Sequence, residues 1–140
     1  MSDIVLVSTQ FKTIATPEAP FLFRNGHSMD HVEVAFETYG SLNDDASNAV
    51  LLFHAFSGSQ HAAGFNPSVE GCDYWTRECE EGWWNPFIGP GKALDTDRYF
   101  VICANYLGGS NITTKKSSQN PKTGKRYGAS FPNVTVNDMV

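Results

Sequence analysis

An α/β fold is predicted for this chain by three features of its sequence. Two short, continuously apolar runs, AVLLF at 49–53 and YFVIC at 99–103, are bounded by turn residues. The stretch between them, 54–98, is long enough for a crossover, and a strictly alternating segment, HVEVAFET at 31–38, precedes them. Short all-apolar runs are the mark of strands covered on both faces, as in a parallel sheet. Parallel neighbours cannot be joined by a tight turn, so 54–98 must cross over the sheet.

The first predicted element is a β-hairpin. APFLF at 19–23 pairs with 31–38, and Asn25-Gly26 supplies the turn. In 31–38 the alternation puts Val32, Val34, Phe36 and Thr38 on the apolar face of a half-buried strand, with His31, Glu33, Ala35 and Glu37 opposite. The polar group SLNDDASN at 41–48 is a loop. Within the crossover, Trp75, Cys79 and Trp83 recur at i, i+4 and i+8, which predicts a short amphipathic helix ending near Gly82. Strand, helical crossover and strand then form a βαβ unit.

At the far end, Thr135 and Asp138 stand three apart as in a capping box, with Val134 and Met139 at the positions of a hydrophobic staple. These are helix start signals, yet only two residues follow Asp138. Isolated helices need about 12–15 residues to be even marginal in water. The expectation is therefore a fragment: residues 1–140 as one partial domain, with no linker, repeat or second domain.

Composition excludes several classes. Hydrophobic residues make up 41% of the chain, and 10 Phe, 5 Tyr and 3 Trp argue for a packed core rather than disorder. A net charge of −5 does not suit a nucleic-acid module, which needs surplus Lys and Arg to displace counterions. The longest apolar stretch, 49–56, is well short of the roughly 20 residues that span a bilayer. No secretory pattern opens the chain, so a cytoplasmic location is expected. Three cysteines do not make a disulfide framework; Cys72 and Cys79 lack the partners of a zinc site, and Cys103 reads as a buried, inert thiol. The sequons at Asn111 and Asn133 read as chance matches.

The best local candidate for a site is the run from the strand at 49–53 into His54-Ala55-Phe56-Ser57-Gly58. Ligands gather at the carboxyl ends of parallel strands, and a turn of small residues leaves N–H groups free to face an anion. An ordinary strand exit has the same sequence character. His54 could act as a base, though a lone histidine at a strand end is more often a hydrogen-bonded structural residue; His61 is expected to be exposed. Trp83-Trp84 reads as core packing, and Gly108-Gly109 as a turn that could mould a pocket. Lys115, Lys116, Lys122, Lys125 and Arg126 form either a solvated loop or a grip on a phosphate-bearing ligand. No Gly-x-Ser-x-Gly, GxGxxG or Walker-type loop occurs in the sequence.

Taken together, HVEVAFETYG at 31–40, LLFHAFSGSQHAAG at 51–64, GWWNPFIGPGKALDTDRYFVICANYLGG at 82–109 and SSQNPKTGKRYGASFPNVTVNDMV at 117–140 resemble the amino-terminal part of the homoserine O-acetyltransferase family, within the α/β-hydrolase superfamily. The resemblance implies an α/β-hydrolase fold truncated before the nucleophile elbow. It also implies acetyl transfer from acetyl-CoA, a co-substrate, to the hydroxyl of L-homoserine in methionine biosynthesis. An acylated serine with a His base and an orienting Asp would carry that reaction, all beyond Val140. No bound cofactor or metal is implied; the partners are small molecules and, for full-length members, a second copy in a homodimer.

Within this chain the resemblance assigns one catalytic element. The backbone N–H of Phe56 would donate to the oxyanion, with Ser57 and Gly58 as substrate-binding neighbours. The family's Gly- and Ser-rich continuation after Gly109 is replaced here by 110–118, which leaves donor and acceptor preference open. Alternatives are a homoserine O-succinyltransferase, a serine O-acyltransferase, a hydrolase or a non-catalytic interaction module. The isolated chain is expected to be inactive, and the edge of the 49–53 strand to expose backbone and apolar side chains.

Overall fold

The computed structural model describes residues 5–109 and 113–139. Its strands are β1 (Gln10–Ala15), β2 (Phe21–Leu22), β3 (Ser28–Met29), β4 (Val32–Tyr39), β5 (Ala49–Leu52), β6 (Ile88–Gly89), β7 (Leu94–Asp95) and β8 (Phe100–Ala104). Hydrogen bonds order the main sheet β1-β4-β8-β5, with β2-β3 and β6-β7 as separate ribbons. Among the described residues there is no α-helix, only 3-10 turns at Arg77–Cys79, Gly128–Ser130 and Val136–Asp138. Among these residues no helix is long and apolar enough to cross a membrane.

Two compact units divide the chain. The first joins Phe36–Ala104 to the described residues up to Gln10; the second joins Phe11–Ala35 to the described residues from Asn105 on.

In the first unit β8 lies between β5, which it meets in parallel (Leu51 opposite Ile102), and the second half of β4, which it meets antiparallel (Thr38 opposite Ile102). The parallel pairing expected of 49–53 and 99–103 is present. Their crossover is not helical: Trp75, Cys79 and Trp83 lie on a looped chain whose only helical turn is Arg77–Cys79. Gly82, expected as a helix end, has another task. A Cβ there would lie 2.2 Å from the Ala63 nitrogen, so the residue lets two backbone segments pass in contact. The unit's core is Tyr39, Ala62, Ala63, Ile88, Val101 and Cys103, with Val50 and Leu52 against it.

Neither apolar run is covered on both faces. Val101 and Cys103 of β8 are fully buried while Phe100 and Ile102 are half-buried; Ala49 and Leu51 of β5 are exposed. β5 has only β8 beside it among the described strands, so half of its side chains find nothing to pack on. The strand β4 corrects a second expectation. Ala35, Glu37 and Tyr39 form its buried side, whereas Val34, Phe36 and Thr38 are only half-buried. Alternation located the strand but named the wrong face from Ala35 onward, because Glu37 brings its own hydrogen-bond partners into the core.

The second unit holds most of β1, an element with no clear periodic signal. It also holds the β2-β3 hairpin, in which Phe21 faces Met29 and Leu22 faces Ser28. The turn falls at Asn25-Gly26 as predicted, with Gly26 N–H donating to Phe23 C=O at 3.0 Å. The returning strand is Ser28–Met29, not 31–38, because β4 joins the main sheet instead. Ala15, Phe23, Met29, Val32, Leu107 and Phe131 make this unit's core. Along the first half of β4, the Ala35 and Glu33 N–H groups donate to the hydroxyls of Thr113 and Thr114. At the C-terminus, Asp138 accepts from the Thr135 N–H at 2.8 Å and from the Arg24 N–H at 2.8 Å, so the capping pair forms and opens a 3-10 turn.

Candidate active-site turn and its buried anchor

The chain leaves β5 through Phe53 and turns at once. Gly58 N–H donates to Ala55 C=O at 2.8 Å, closing a four-residue turn with Phe56 and Ser57 at its corners. His54, only 5% exposed, sits beneath it with Nδ1 at 2.7 Å from the Ala55 carbonyl. A Cβ on Gly58 would meet His54 Cβ and the Ala55 carbonyl, both at 3.1 Å, so glycine lets the turn fold over the imidazole. The Phe56 side chain is 96% exposed. Its backbone N–H, at the second position of the turn, finds no acceptor among the described residues. The turn thus brings together His54, Phe56, Ser57 and Gly58, and its chemistry is that of a backbone amide left without an acceptor among the described residues.

Behind the turn lies a polar network of a kind the sequence did not announce. Glu37 of β4 is fully buried. Its Oε1 accepts from the Thr9 hydroxyl at 2.7 Å and from Asn66 Nδ2 at 3.0 Å. Its Oε2 accepts from the Tyr39 hydroxyl at 2.9 Å and lies 2.8 Å from His61 Nδ1. The other ring nitrogen of His61 faces the Glu80 carbonyl at 3.0 Å. His61, expected to be exposed, is 1% exposed. Both ring nitrogens of His61 thus have an oxygen within hydrogen-bond distance. Burial acts to raise the Glu37 carboxyl, but hydrogen bonds and charge from His61, then Thr9 and Asn66, outweigh it and hold the group below the ordinary carboxylate value. The same burial, with Glu37 close by, pushes the Tyr39 phenol strongly upward.

Trp83 and Trp84 are not core residues as expected; they are 37% and 41% exposed, with ring centroids 5.4 Å apart. The Trp83 indole N–H instead donates to the Ser59 carbonyl at 2.9 Å. Cys103 is buried, as expected of it, with its thiol pushed up to about 12 by desolvation and by Glu37. Among the described residues no cluster of His, Cys, Asp or Glu could hold a metal ion. In the second unit, Lys116, Lys122, Lys125 and Arg126 lie on an exposed loop where Lys122 pairs with Asp30 at 2.6 Å. Gly108-Gly109 forms a turn there, and Ser110, Asn111 and Ile112, the first part of the altered 110–118 run, lie outside the described residues.

Comparison with solved structures defines the class. Esterase E22 superposes on 95% of this chain with a TM-score of 0.78 and 40% identity, and homoserine O-acetyltransferase from Bacillus anthracis on 96% with a TM-score of 0.78 and 38% identity. The chain accordingly has the architecture of an α/β-hydrolase, and it covers 34% of each of those chains. In sequence it is 52% identical over 138 residues to homoserine O-acetyltransferase from Methanosphaerula palustris, covering 99% of this chain and 26% of that protein. The chain is a homologue of the homoserine O-acetyltransferases, and it spans about a quarter to a third of the length of the relatives it matches. No family model matches it.

Proposed function

We propose that this chain serves acetyl transfer from acetyl-CoA to the hydroxyl of L-homoserine, and that its direct contribution is the Phe56 backbone N–H as an oxyanion donor. The supporting observation is that amide: unpaired among the described residues, on a turn at the carboxyl end of a parallel strand, with its side chain turned out of the fold. When a serine oxygen attacks the thioester carbonyl, the carbonyl oxygen gains a full negative charge. A fixed N–H near 3 Å from that oxygen is worth about 2.7–4 kcal/mol of barrier. Collapse of the intermediate expels the CoA thiol, which takes the proton delivered by the general base. The homoserine hydroxyl, giving its proton to the same base, then attacks the acyl-serine carbonyl through the same oxyanion geometry, and collapse breaks the serine ester and returns the proton to the serine oxygen. Ser57 and Gly58 line the approach to the donor. The 140 residues contain no Gly-x-Ser-x-Gly, so the attacking serine belongs to polypeptide outside them and the chain alone turns nothing over.

The test has two arms. The chain alone, given acetyl-CoA and homoserine, should release free thiol at the background rate. The same residues exchanged into the matching segment of the Methanosphaerula palustris relative should yield O-acetylhomoserine. A folded chimera that cannot acetylate homoserine overturns the proposal. A chimera that only hydrolyses acetyl esters favours the second reading, drawn from the equal likeness to esterase E22.

A further inference from the structure

The turn at 55–58 is held at its two ends by unlike means. On the entry side is β5, hydrogen-bonded to β8 as far as Leu52 opposite Cys103. On the exit side there is no regular structure, yet four consecutive residues, 59–62, are fastened. The Ser59 carbonyl accepts from the Trp83 indole at 2.9 Å and lies 3.7 Å from the Cys103 thiol. The Gln60 carbonyl lies 3.2 Å from the Tyr39 hydroxyl, whose one proton it shares with Glu37, and the Gln60 side-chain amide donates to Thr9 at 3.0 Å. His61 is locked between Glu37 and Glu80, and the next N–H, that of Ala62, donates to the Tyr39 oxygen at 2.7 Å. Apart from the Ser59 bonds and the His61–Glu80 contact, these tethers converge on the Glu37 carboxylate, directly from His61 and through Thr9 and Tyr39 from Gln60 and Ala62. Glu37 stands near the end of β4, in the part of that strand that pairs with β8.

A buried carboxylate is a poor choice for stability alone, because taking its charge out of water costs as much as its partners' attraction returns. What it offers is directionality. Four donors converge on fixed lone pairs, which defines one position for His61 and hence for the chain three residues after Gly58. An apolar side chain in place of His61 could slide along its neighbours; a doubly bonded imidazole cannot.

The geometry points to the buried Glu37–His61 pair, with Tyr39, as the positioning device that sets the 55–58 turn and therefore the direction of the Phe56 N–H. The tethers themselves carry the positioning role; its catalytic consequence rests on the oxyanion reading above.

The experiment compares Glu37→Gln and Tyr39→Phe with Val101→Ala, a substitution in the same core as Tyr39 at a residue whose side chain makes none of these hydrogen bonds. In the isotope-labelled 140-residue chain, both network variants should shift or broaden the Phe56 and Ser57 amide resonances while the amides of β8 stay in place; Val101→Ala should leave Phe56 and Ser57 unmoved. If Glu37→Gln does not fold, Tyr39→Phe, which keeps the ring, decides. In the chimera, the network variants should lower kcat by up to about 100-fold, the cost of a misplaced catalytic group, with KM nearly unchanged. Unmoved Phe56 and Ser57 amides, or an equal movement in Val101→Ala, overturn the positioning role. Amides that move while kcat holds support the positioning role and remove the oxyanion assignment instead.

Discussion

The carboxylate of Glu37 and the imidazole of His61 meet at 2.8 Å, 24 residues apart in sequence, with neither side chain more than 1% accessible to solvent. This pair ties β4 to the segment that follows the candidate active-site turn. Its energetics differ from those of a surface ion pair: screening by water and salt is weak, and loss of one partner strands the other.

Replacing Glu37 by alanine is therefore expected to cost about 3–5 kcal/mol, the usual penalty for leaving one member of a buried pair uncompensated. Chemical denaturation of the wild type and variant measures it. A loss below about 1 kcal/mol, typical of exposed pairs, would show that the network is not closed in solution.

The same carboxylate sets an acid limit. Its folded value lies below the ordinary one near 4.5, so folding favours the ionised form. Its contribution is complete above the unfolded value and is lost as pH falls through the lower, folded value. Thermal unfolding followed from neutrality into the carboxylate range should show falling stability, and Glu37→Gln should flatten that limb.

Phe56 occupies the second position of its turn, where proline is favoured. Phe56→Pro thus removes the N–H while suiting the turn, and should lower kcat of the chimera by about 100- to 1,000-fold. Phe56→Leu, which keeps the amide and alters only an exposed side chain, should retain activity. Steady-state kinetics on the two variants separates backbone from side chain; a fully active proline variant rejects the donor assignment.

Gly82→Ala should be among the most damaging single-carbon changes in the chain. The added methyl would overlap the Ala63 backbone at 2.2–2.3 Å, and backbone atoms cannot rotate aside as a side chain would. A melting temperature as high as that of the parent would contradict the close approach.

Cys103 should resist alkylation in the folded chain, since it is buried and its thiol is pushed up to about 12, leaving little thiolate near neutrality. Half-buried Cys72 and Cys79 serve as internal controls. Peptide mapping after brief treatment with iodoacetamide checks the order, and labelling of Cys103 as fast as the other two would refute it.

Local chemistry alone was enough to find β4, the parallel pair β5 and β8, the Asn25-Gly26 turn and the Thr135–Asp138 cap. Each is written in neighbouring residues, as an alternation, an apolar run or a turn pair. The turn at 54–58 was also legible, because small residues after an apolar strand mark it. The segments 31–40, 51–64, 82–109 and 117–140, above all 82–109, carried the family likeness but not the reason for it. Which face of β4 is buried, why His61 lies inside and why no helix forms around Trp75–Trp83 depended on partners far away in the chain. Polarity assigns a carboxylate to the surface by default. Only the folded molecule brings Thr9, Tyr39, His61 and Asn66 to Glu37, and a charge satisfied by four donors is at home in a core where an unpaired one would not be.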